Sequence, residues 1–166
     1  MGIFGFNRTS QATVARGVRT IRKGIAFLQV AEFDNALREF RSVSASRNPK
    51  TTRLVRSVAE FYAYNTEVLR KEVKKQTFGN ANLIEIVPGN ARNAWSDVDI
   101  AAVLVAPVSP GTTAILAGAL GRTPEAIRFQ RRYATEQPLQ SWEDETGDRY
   151  TRYTQTRRVA QRLGLV

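Results

Sequence analysis

The sequence predicts an all-α protein made of an N-terminal helical bundle or hairpin, a three-helix unit and a C-terminal amphipathic helix. Three observations carry this. Apolar residues recur at spacings of three and four along most of the chain. Hydroxyl residues, prolines and glycines stand where such helices would start and stop. The one segment that reads as extended, Leu83 to Val87, is too short to build a sheet.

Thr9 and Ser10 can cap a first helix over about 10–30, in which Val14, Val18, Ile21, Ile25 and Leu28 form one apolar face. Arg16, Arg19, Arg22 and Lys23 fall on its other faces, as a solvated flank or as phosphate contacts. Phe33, Ala36, Leu37 and Phe40 continue the period through a helix over 32–44, which the small and polar run from Ser42 to Pro49 ends. Thr51 or Thr52 opens a longer helix with Leu54, Val55, Val58, Phe61, Tyr62, Val68, Leu69 and Val73 on its apolar stripe. Arg70, Lys71, Lys74 and Lys75 suit the negative end of its dipole. Three such stripes within about 75 residues exceed what a small monomer readily buries, and predict a homo-oligomer.

Glycines, asparagines and a proline between Phe78 and Asn93 mark a linker. The expected organisation is therefore a basic helical domain over 1–77, a linker over 78–94, a three-helix unit over 95–134, and an acidic segment with a final helix over 135–166. In the unit, Ser96 caps a short helix that ends by Pro107. Ser109-Pro110 opens a second, closed by Gly121, and Thr123-Pro124 starts a third that runs to about Ala134. Beyond it, Trp142 stands among Glu143, Asp144, Glu145 and Asp148, a patch that reads as a brace or dimer contact. Tyr153, Val159, Ala160 and Leu163 then define the apolar side of the last helix.

Composition bounds the chemistry. At 166 residues and 42% hydrophobic content the chain can build a core. The absence of both Cys and His removes disulfides, zinc fingers and every Ser-His or Cys-His nucleophile, so no enzyme, metal site or cofactor is expected. No apolar window is long enough to cross a bilayer and the start lacks the order of a signal peptide, which together predict a cytoplasmic protein. The net charge of +10 and a pI near 10.6 favour a polyanionic partner rather than a small molecule or a membrane. That charge is uneven: residues 1–80 hold 15 Lys and Arg against 6 Asp and Glu, whereas residues 81–166 hold 10 against 9. Nonspecific attraction is therefore expected from the first half and sequence reading from the second.

A helix, a glycine-containing turn and a basic third helix have the layout of a helix-turn-helix. The residues Trp95-Ser96 with Asp97 and Asp99, then Leu116-Ala117, Leu120-Gly121-Arg122-Thr123 and Ala126-Ile127, resemble the Myb/SANT-like family in its short bacterial and phage form. The resemblance covers about forty residues. It departs from the family's three-tryptophan pattern, since only Trp95 is present and the other two places fall at Thr113 and Arg131.

The resemblance implies that the third helix lies in the major groove of double-stranded DNA. It puts Arg128, Phe129 and Arg132 at base-contacting places and Ile127 at a core place. Helix geometry agrees in part, because Glu125, Arg128 and Arg132 share a face. Thr113, Arg122 and Arg131 are expected to contact the DNA backbone. The resulting expectation is a sequence-specific DNA-binding regulator, a repressor of phage, plasmid or bacterial type. The alternative is a structural protein that coats nucleic acid in a virion or nucleoid.

Overall fold

A computed structural model describes residues 6–78, 94–135 and 148–166, and these form helices and connecting turns without a strand. The helices are α1 (Phe6–Gln29), α2 (Phe33–Ser44), α3 (Arg53–Phe78), α4 (Asp97–Val105), α5 (Pro110–Leu120), α6 (Pro124–Thr135) and α7 (Asp148–Arg162). The all-α expectation holds, and the apolar period placed most boundaries within a few residues. The first helix begins at Phe6, ahead of the hydroxyls at Thr9 and Ser10. No proline or glycine in 6–10 stops a helix from extending through them. Of the linker expected over 78–94, residues 79–93 with Leu83 to Val87 lie outside the described residues, as do Trp142, Glu143, Asp144 and Glu145, while Phe78 ends α3.

Helices α1 to α3 pack as an antiparallel set. The turn from α1 to α2 is closed by amide hydrogen bonds from Ala31 to the Leu28 carbonyl and from Glu32 to the Phe27 carbonyl. This arrangement requires a left-handed residue, and Ala31 takes that place at φ 59°. Between α2 and α3, the Asn48 side chain accepts from the Lys50 amide at 2.9 Å, a local turn that competes with helix continuation. Fully buried Phe40 stacks on Tyr62 with ring centroids 5.4 Å apart.

Close approach of α1 to α2 depends on Gly24. A Cβ there would stand 2.8 and 2.9 Å from Cδ1 and Cζ of the Phe40 ring, and closer still to Cε1. The ring cannot yield without disturbing its stack on Tyr62. Gly24→Ala is therefore expected to destabilise the protein by about 1–3 kcal/mol, although alanine favours an exposed helix by about 1 kcal/mol. A denaturant melt showing equal or greater stability would mean that α1 can move off α2.

Helix α4 is the centre of the molecule. Its sequence Asp97-Val-Asp-Ile-Ala-Ala-Val-Leu-Val is apolar on nearly all sides after the first turn, the pattern of a helix surrounded by protein. Ile100, Ala101, Ala102, Val103 and Val105 are buried, and α4 packs against α1, α3, α5, α6 and α7. One continuous apolar core therefore includes residues from α1 to α3 and from α4 to α7. Helix α4 covers part of the stripes of α1 and α3, whereas Val68 and Val73 toward the end of α3 stay exposed. The helices on either side of the linker share this core.

Helix α7 closes the other side with buried Val159, Ala160 and Leu163. Buried Gln130 of α6 donates to Thr156 of α7. At the start of α4, Asp97 accepts from Gln155 at 3.0 Å and from Arg162 at 2.9 Å. The Gln155 hydrogen bond first, and then the Arg158 and Arg162 charges, hold the Asp97 carboxyl below its ordinary pKa against a desolvation penalty.

Candidate nucleic-acid interface

The turn between α5 and α6 orients the candidate site. Gly121 caps α5 at φ 60° and ψ 37°, a left-handed conformation that suits glycine. The Arg122 amide then reaches back to the Ala117 carbonyl at 3.0 Å. Thr123 begins the next helix, its hydroxyl accepting from the Ala126 amide at 3.1 Å. At the other end of α5, Ser109 and Thr112 form a reciprocal capping box ahead of Pro110.

These caps fix which face of α6 is buried. Ile127, Gln130 and Ala134 point into the core, whereas Glu125, Arg128, Phe129 and Arg132 are exposed. Phe129 is 46% exposed, large for an aromatic residue on a small domain, and the Arg132 guanidinium lies 5.6 Å from its ring centroid. A groove of about 680 Å³ runs beside this face, with Val108, Pro110 and Ala114 on the α5 side and Pro124, Arg128 and Arg132 on the α6 side. The result is a concave strip with apolar walls and cationic edges.

Of the three residues expected to contact the DNA backbone, Arg122 and Thr113 are buried, and Arg131 is half-buried and with Thr113 lines the groove. Arg122 is only 6% exposed, with its guanidinium 4.6 Å from the Trp95 ring centroid and Nη2 donating to the Ala94 carbonyl at 3.3 Å. Thr113 is buried and donates to the Ser109 carbonyl at 2.8 Å. Arg131 donates through Nε to the Val103 carbonyl, through Nη1 to Thr113 Oγ1 and through Nη2 to the Pro107 carbonyl, at 3.4, 3.2 and 3.2 Å. The polar groups of all three hydrogen-bond within the protein. The Arg131–Thr113 hydrogen bond links α6 to the start of α5.

Arg131 belongs to a larger arrangement at the end of α4. The last four carbonyls of a helix lack partners within it, and Ala106 continues in extended conformation instead of supplying a left-handed cap. Donors from three other helices meet them: Tyr62 Oη of α3 on Ala102 at 2.7 Å, Arg131 Nε of α6 on Val103, and Arg22 Nε of α1 on Val105 at 2.9 Å. The two guanidinium charges also complement the negative end of the α4 dipole. Burial pushes the Tyr62 phenol far above its ordinary pKa, with the Arg131 charge opposing, so the hydroxyl stays a neutral donor. Desolvation lowers the pKa of Arg131 against the influence of Tyr62.

No protein-family model, curated protein or solved structure matches this chain. Its site must therefore be read from its own geometry. Among the described residues no group of three or more carboxylates gathers as a metal site would require, and no helix is long and apolar enough to cross a membrane. The α4 end and the apolar wall of the groove escaped sequence reasoning. Nothing local in Arg22, Tyr62 or Val108 signals that contacts many residues away bring them beside the three-helix unit.

Proposed function

We propose that this protein is a double-stranded DNA-binding regulator of the Myb/SANT-like helix-turn-helix kind, a repressor of phage, plasmid or bacterial type that acts by occupying a site. One observation carries the reading: on a helix held by a left-handed glycine cap and a threonine N-cap, the outward residues include Arg128, Phe129 and Arg132, with Glu125 one turn ahead of them. An arginine in the major groove can make two hydrogen bonds to guanine, and an aromatic edge can meet a thymine methyl. The hydrogen bonds of Arg122, Thr113 and Arg131 within the protein brace the helix that carries Arg128, Phe129 and Arg132.

Selection of bound fragments from a random-sequence duplex pool tests this. An enriched motif supports a sequence reader, and a palindromic motif with half-sites about one helical turn apart supports a dimer. Length-dependent binding without an enriched motif overturns sequence reading and favours a coating protein. Arg128→Ala and Arg132→Ala are each expected to cost about 1–3 kcal/mol at the selected site and to flatten preference at one base pair. Equal losses on selected and scrambled duplexes would reduce α6 to an electrostatic surface.

A further inference from the structure

Helix α1 contains four arginines, one lysine and no acidic residue over its 24 residues. Lys23 is paired with Glu39 at 2.8 Å, but Arg16, Arg19 and Arg22 have no carboxylate partner among the described residues. Two contacts place this helix beside the proposed reading head. Arg22 Nε holds the Val105 carbonyl, and Gln29 Nε2 donates to Ser109 Oγ at 2.8 Å, at the start of α5. Ser109 immediately follows Val108 and precedes Pro110, which line the groove beside Arg128 and Arg132. The exposed strip of α1 that carries Arg19, Arg22, Ala26 and Gln29 therefore runs up to one edge of that groove.

From this continuity we infer that α1 is part of the DNA-binding surface: Arg19 and Arg22 contact phosphates flanking the base pairs that α6 reads. The inference rests on the proposed function and adds a second element to its interface. Arg19 lies one turn beyond Arg22, about 4.5 Å along the helix axis, and about 15 Å from Gln29. That spacing carries positive charge away from the groove, along a backbone that bears one charge per about 1.7 Å of duplex axis. Ala15 and Ala26 are exposed on the same strip and have no long side chain to hold a sugar-phosphate strand away. The partner that fits an acid-free, arginine-bearing helix face continuous with a cationic groove is duplex DNA longer than the recognised base pairs.

The test uses the full chain and a duplex carrying the selected motif, with affinity measured across salt concentration and the contacted sugars mapped by hydroxyl-radical footprinting. Each lost phosphate contact reduces the slope of log affinity against log salt by about 0.9. Arg19→Gln is expected to reduce it by about 0.9 and Arg19→Gln with Arg22→Gln by about 1.8, with the ratio of selected to scrambled binding unchanged and the footprint shortened on one side. Because Arg22 also holds the Val105 carbonyl, Ala15→Glu provides a variant that adds repulsion without removing a contact, and is expected to weaken binding to every duplex alike. An unchanged slope and footprint in Arg19→Gln and in the double variant, while Arg128→Ala still flattens base preference, overturns this inference and leaves the proposed function standing. A wild-type protein that binds no duplex overturns both.

Discussion

Tyr62→Ala is expected to destabilise the protein by about 3–5 kcal/mol, which for a chain of this length lowers the melting temperature by about 10 °C. Three losses combine. The ring is 1% exposed and stacks on Phe40, its edge meets Phe61 with centroids 5.3 Å apart, and its hydroxyl is the donor that reaches Ala102 from α3. Removing the ring leaves a cavity between α3 and α4, where the two halves of the chain share their core. Tyr62→Phe separates these effects. It keeps the ring and is expected to cost about 1–2 kcal/mol, because a buried carbonyl at the end of α4 then lacks its donor. Denaturant unfolding followed by circular dichroism measures both variants. A Tyr62→Ala protein within 1 kcal/mol of wild type would show that the halves do not depend on this junction.

Arg131→Ala is expected to cost about 3 kcal/mol, since one guanidinium satisfies Val103, Thr113 and Pro107 at once. Arg131→Lys should recover little of this, because an ammonium is a point charge and cannot span three acceptors held in a planar fork. The same substitution discriminates between two roles for this side chain. A phosphate-contacting arginine would leave the melting temperature unchanged and reduce the salt slope. An arginine that braces α4, α5 and α6 should lower the melting temperature by about 6–12 °C and leave the slope of the remaining folded protein unchanged. Thermal melts and salt titrations of the two variants separate these outcomes.

The candidate site was legible from sequence in proportion to how local its determinants are. Arg128 and Arg132 share an exposed face because four residues make about one helical turn, and Thr123-Pro124 fixes where that turn begins. Phe129 is exposed on the same helix. Arg122 and Arg131 show the limit. An arginine in a turn and an arginine on a helix look alike in sequence whether they face solvent or stack on Trp95, and only the surrounding chain decides. The area argument confined to the first 75 residues omitted α4, which packs on α1 and α3 from beyond the linker while Val68 and Val73 of α3 stay exposed.

The sequence by itself determined the helices, because their period, caps and stops depend on residues within a turn or two of one another. Val159 and Ala160 marked the buried side of α7 in this way, with Leu163 just beyond its end, and Gly121 marked the end of α5. Only the tertiary structure decided how the helices join, because the unpaired carbonyls at the end of α4 find donors 40, 28 and 83 residues away, in Tyr62, Arg131 and Arg22. A carbonyl left over at a helix end must be satisfied when it is buried, but it carries no information about which distant side chain will reach it. That long-range choice brings the arginine face of α1 to the edge of the groove beside α6.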